Sequence, residues 1–103
     1  MKCVFLGVNT VAFESYHLLK SNDDLNDIKT PGLYVVSDAN TPAHCPSWGG
    51  LNSLIFVYKW GASAGAYKRL VQIMVEANVA AIGYRIGNQE GFGNSWNRLA
   101  LVS

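Results

Sequence analysis

Short runs of β-branched and aromatic residues, cut apart by glycine, proline and asparagine, leave this chain few options other than a sheet. Leu54-Ile55-Phe56-Val57-Tyr58-Lys59-Trp60 is such a run and stops at Gly61, which specifies a strand. Lys68 to Glu76 has helix-forming residues, but its side chains alternate. Arg69, Val71, Ile73 and Val75 fall on one side and Lys68, Leu70, Gln72, Met74 and Glu76 on the other, a period of two that favours a strand. Asn78 marks a hairpin tip, and Ala80 to Ile86 returns with Ile82, Tyr84 and Ile86 on one face and Arg85 on the other. Gly87, Asn88, Gly91, Gly93 and Asn94 tolerate left-handed backbone and form the next turn, after which Trp96 to Val102 closes the domain as a last strand. With no strand–helix–strand rhythm, the class is all-β and antiparallel, with room for one short helix or helical turn.

The first half is punctuated in the same way. Cys3 to Val8 reads as a strand, and Thr10 to Lys20 fits neither period cleanly. Ser21-Asn22-Asp23-Asp24 carries short polar side chains that bond back to the backbone, so it caps a turn over Leu25 to Ile28. Pro31-Gly32 sets a tight turn that launches Leu33-Tyr34-Val35-Val36 as a strand. Ser37 to Gly50, holding Pro42, Pro46, Gly49 and Gly50, is a long loop.

A chain of 103 residues supports one domain. Hydrophobic residues make up 50% and charged residues 15%, against roughly 25% charged in ordinary domains. That shortage of surface charge predicts that part of the exterior is hidden in an oligomer. The formal net charge is +1 and the longest basic run is Lys68-Arg69, too little for a phosphate-tracking groove, so nucleic acid is not expected as a partner. Asn9 and Glu14 interrupt the apolar start, so no export signal is read, and the apolar runs are too short for a spanning helix, which argues against membrane insertion. Cys3 and Cys45 would permit one disulfide, but without an export signal reduced thiols are the expected state.

Cys3, His17, His44 and Cys45 supply zinc-ligand letters without zinc-ligand spacing, so no metal or other cofactor is expected. Cys45 with His17 or His44 lacks an orienting acid and an oxyanion hole, and no catalytic residue is assigned. Asp23, Asp24 and Asp27 are explained by backbone capping, which leaves a glycosidase carboxylate pair as a weak option. Neither Gly61 to Gly65 nor Gly87 to Gly93 has a phosphate-loop pattern. The aromatic residues mostly suit a small sheet's core. Trp48 differs, because it sits in the long loop between Ser47 and Gly49, where an exposed ring beside polar donors would stack on a flat ligand or dock on a partner. Binding is favoured over catalysis.

In order along the chain, Asp24, Leu25, Asn26, Pro31, Gly32 and Tyr34, then Gln72, Arg85, and finally Trp96 with Leu99, resemble the motif set of the pyocin-knob domain of bacteriophage and phage-tail-like fibre proteins. The resemblance covers residues 24–103, leaving 1–23 as a lead-in strand and junction to a fibre or partner protein. It implies a small antiparallel β-sandwich-like knob that forms a homotrimer, works with other virion or fibre proteins, and binds a bacterial surface glycan without being an enzyme. It also implies a virion component assembled in the host bacterial cytoplasm. Gln72 and Arg85 on neighbouring strands are expected to hydrogen-bond side chain to backbone under the cover of Trp96. Receptor contacts are then expected in the loops Ser37 to Gly50 and Gly87 to Ser95, on His44, Trp48, Asn88, Gln89, Phe92 and Asn94. The alternative is a structural virion protein, a head fibre or decoration protein, using the knob only for trimerisation and attachment.

Overall fold

Alternation decides which side chains the sheet buries. In the computed structural model, which describes residues 15–62, 68–93 and 95–99, the strands are β1 (His17–Leu19), β2 (Gly32–Val36), β3 (Leu54–Trp60), β4 (Arg69–Glu76), β5 (Ala81–Gly87) and β6 (Asn97–Arg98). They lie side by side in that order in one sheet. The all-β expectation holds, and β3, β4 and β5 fall where their side-chain patterns place them. The expected strand at Cys3 to Val8 and the end of the last strand, 100–102, lie outside the described residues.

β4 turns Leu70, Gln72, Met74 and Glu76 inward, β3 turns Ile55 and Val57 inward, and β5 turns Ala81, Gly83 and Arg85 inward. The register aligns Tyr34, Ile55, Met74 and Gly83 in one inward row and Val57, Gln72 and Arg85 in the next. Leu19, Leu25, Tyr34, Val36, Ile55, Val57, Leu70 and Met74 form the core. Each fully buried Leu, Ile or Met there contributes about 1.5–3 kcal/mol relative to exposure.

Two features depart from the antiparallel sandwich. β1 pairs with β2 in parallel, His17 opposite Tyr34 and Leu19 opposite Val36, whereas the other pairings are antiparallel. Parallel neighbours need a crossover connection. Here it carries a 3₁₀ turn, Leu25–Asp27, whose N-cap Asp24 accepts from the Asn26 N–H at 2.9 Å and whose Leu25 side chain is fully buried. Secondly, the described strands make one sheet, and its inner face is roofed by loops rather than by a second sheet. The crossover contributes Ile28 to that roof, the long loop Cys45 and Trp48, and the segment after β5 Phe92 and Trp96.

The outer face has no such roof among the described residues. Leu33, Phe56, Ile73 and Tyr84 line up across four strands, flanked by the rows Val35, Leu54, Val75, Ile82 and Tyr58, Val71, Ile86. Phe56, Tyr58, Trp60, Ile82 and Ile86 are exposed. Phe56 and Tyr58 stack with their centroids 6.4 Å apart.

Candidate functional site

Gln72 is the hinge pin of the inner face. Fully buried, it donates through Nε2 to the carbonyls of Leu25 at 2.8 Å and Ile28 at 2.9 Å, tying the crossover to the centre of the sheet. Its Oε1 accepts from Arg85 Nε at 2.8 Å, directly across the β4–β5 pair. Gln72 and Arg85 therefore meet as their positions imply. Gln72 bonds backbone, but Arg85 reaches the Gln72 side chain instead. The Arg85 guanidinium carbon lies 4.2 Å from the Phe92 ring centroid and 5.0 Å from that of Trp96, so two ring faces cover the cation. Arg85 is only 3% exposed. Burial drives its pKa down to about 10, with the nearby negative charge of Asp24 opposing that shift.

The long loop is pinned beside this pair. Leu25 N–H donates to the Ala43 carbonyl and Ala43 N–H to that of Asp23, both at 3.0 Å. His44, held at φ 64°, donates from Nδ1 to Asp24 Oδ1 at 2.7 Å, and its carbonyl accepts from Trp96 Nε1 at 2.8 Å. The Asn26 N–H and the His44 ring hold the Asp24 carboxyl below its ordinary pKa. Trp48 meets Trp96 edge to face, centroids 6.2 Å apart, and lies on Gly83. A Cβ at Gly83 would collide with the Trp48 ring and stand 2.7 Å from the Asn97 carbonyl oxygen, so only glycine admits the tryptophan there. Trp48 is thus half-buried against the core, not the freely exposed ring its loop position suggests.

Between the two loops lies a cleft of about 650 Å³, lined by His44, Ser47, Trp48, Arg85, Phe92 and Trp96 among others. Asn26, Cys45 and Ser95 also reach it. Two buried polar atoms at this cleft, Asn26 Oδ1 and Arg85 Nη2, have no hydrogen-bond partner. Cys45 is a free thiol whose burial raises its pKa, which disfavours the nucleophilic thiolate. Among the described residues no group of three or more His, Cys, Asp or Glu side chains gathers as a metal site.

Comparison with known proteins finds no matching family model, curated protein or solved structure.

Of the residues expected to contact a ligand, His44, Trp48 and Phe92 line the cleft. Asn88 and Gln89 sit instead on the exposed turn after β5, where Asn88 Oδ1 accepts from Glu90 N–H at 2.8 Å; Asn94 lies outside the described residues. Among the motif residues, Asp24 caps the crossover turn, and Pro31 and Gly32 lead into β2. The Tyr34 hydroxyl closes that turn on the Thr30 carbonyl at 2.6 Å. Leu99 keeps an exposed side chain while its N–H donates to the Ile82 carbonyl at 2.8 Å. Asn26, Arg85 and Trp96 as cleft residues are what the sequence reading missed. A polar residue immediately after a cap and its Leu was a signal for the first, and a lone arginine on a small-residue strand face for the second.

Proposed function

We propose that this chain is a bacteriophage fibre or appendage knob, resembling the pyocin-knob domain, that recognises a host-cell-surface saccharide without catalysing its turnover. The observation that carries this reading is the cleft itself. Aromatic side chains from two loops, Trp48, Phe92 and Trp96, stand beside the polar groups of Asn26, His44, Ser47 and Ser95 on a rigid sheet, a combination that suits the apolar faces and hydroxyl rims of a sugar. No carboxylate lines the cleft among the described residues, and the two whose charge acts on Cys45 and Arg85 are otherwise committed: Asp24 to His44 and the Asn26 N–H, and Glu76 to Ser53 Oγ and the Asn78 N–H. That commitment favours binding over hydrolysis. On this reading the knob is a homotrimer whose copies cover the apolar outer face, and it is carried in the virion by other fibre proteins.

The test replaces Phe92 and Trp48 by alanine in turn and follows adsorption to host cells alongside native mass. Adsorption lost with the oligomer intact is the expected result. The open outer face around Leu54, Phe56, Tyr58 and Ile82 favours a second reading, a head fibre or decoration protein that uses the knob only to trimerise and attach. Adsorption unchanged in both variants, with assembly lost when the outer face is altered, would select that reading instead.

A further inference from the structure

We propose that three copies of this chain meet through the outer face of the sheet, with β3 against the threefold axis and each cleft facing away from it. The inference rests on the homotrimer of the reading above and gives it a contact, an axis and a direction for the clefts. Alternation carries the outer face across β1 to β5: the exposed Leu18 stands opposite Val35 and extends the row of Leu54, Val75 and Ile82. Among the outward positions of these strands the one charged side chain is Arg69, at the far end opposite Trp60, and its Nη1 donates to the Lys68 carbonyl at 2.9 Å.

Phe56, Tyr58 and Trp60 are 41%, 52% and 44% exposed. Together with the exposed aliphatic side chains beside them they bring the open apolar area to the order of 700 Å². That exceeds the roughly 300–600 Å² patch of a typical monomer and comes close to the ~800 Å² that each partner gives a standard interface. A face this uniform offers no charge pattern for a different protein to match, but it is complementary to itself.

The width of the sheet sets the number of copies. Five strands about 4.8 Å apart make a wall roughly 19 Å across. Three such walls enclose an axis about 5–6 Å from each, half the ~10 Å between packed sheets, so one layer of side chains from each copy fills the centre. Four walls would leave an open channel. Two would leave a gap of even depth, whereas the bulk here is central: β3 turns Phe56, Tyr58 and Trp60 outward, and β2 and β4 beside it turn no aromatic residue that way. A threefold space, deepest at the middle of each wall, suits that distribution. The cleft lies on the inner face, so the three clefts open on the flanks, clear of the contact between copies.

The experiment places one added cysteine in the full chain, Tyr58→Cys on the outer face or Ser47→Cys at the cleft, both exposed positions. Native mass is recorded at about 10 μM. Reaction with N-ethylmaleimide is followed in buffer and in urea, the modified cysteine being located by peptide mass mapping. Both variants should be trimers, with Tyr58→Cys reacting about tenfold or more slowly than Ser47→Cys in buffer and at a similar rate in urea. Dissociation of Tyr58→Cys alone, with the parent chain and Ser47→Cys trimeric, would support the same contact. A dimer or a monomer of the parent chain, or a trimer in which both added cysteines react alike, would overturn the proposal. None of these results removes the saccharide reading, which adsorption of the Trp48→Ala and Phe92→Ala variants decides separately.

Discussion

Gln72 shows how much one amide can settle. Its two N–H bonds face carbonyls and its oxygen faces a cation, so its donor and acceptor ends are not interchangeable. Gln72→Glu keeps an acceptor for Arg85 but points an oxygen at the Leu25 and Ile28 carbonyls. We expect a loss of about 2–4 kcal/mol by urea denaturation. Wild-type stability would mean that pairing with Arg85 outweighs the two lost donors. Asp24 sets an acid limit on the fold. Its folded pKa lies below the ordinary 3.8, so its stabilising share is complete above that value and is lost as pH falls through the folded pKa. Asp24→Asn keeps a capping oxygen without the charge. Its urea midpoint should lie below wild type at neutral pH and converge with it as the pH falls through the folded pKa of Asp24.

At the scale of elements, the crossover between β1 and β2 is the part that joins core to cleft, and Leu25 is its anchor. Leu25→Ala should cost about 2–5 kcal/mol in urea denaturation, with amides of β1 losing hydrogen-exchange protection first because the crossover holds that edge strand. A variant as stable as wild type would show that Gln72 alone suffices as the anchor. The strands were easy to foresee where side chains alternate, as in Leu54 to Trp60, and the capped turn was written in Asp24. The parallel β1 was not, since a three-residue strand with only Leu19 buried leaves no periodic signal. β5 was legible as a strand with Arg85 opposite its apolar trio. That the Arg85 side is the inner one depends on Trp48 arriving over Gly83, a contact between segments far apart in sequence. The same contact turns Trp48 from an exposed loop residue into a roof tile.

At the scale of the whole molecule, the shortage of charge in the sequence corresponds to a sheet face on which Leu54, Phe56, Tyr58, Trp60, Ile82 and Ile86 meet solvent. If copies of the chain cover that face, Phe56→Glu should yield a folded monomer by native mass spectrometry, while the parent chain runs as a trimer at about 10 μM. A monomeric parent chain would leave the face to a different partner protein. The loop roof, finally, bears on how such a protein can change. Trp48, Phe92 and Trp96 shield the interior and wall the cleft at once, so a substitution that reshapes the cleft there also draws on a narrow margin of stability. If the cleft binds a ligand, new binding ranges should therefore arise first at Ser47 and Ser95, which border the cleft without belonging to the core cluster, and reach the tryptophans only in lineages that have already gained stability elsewhere.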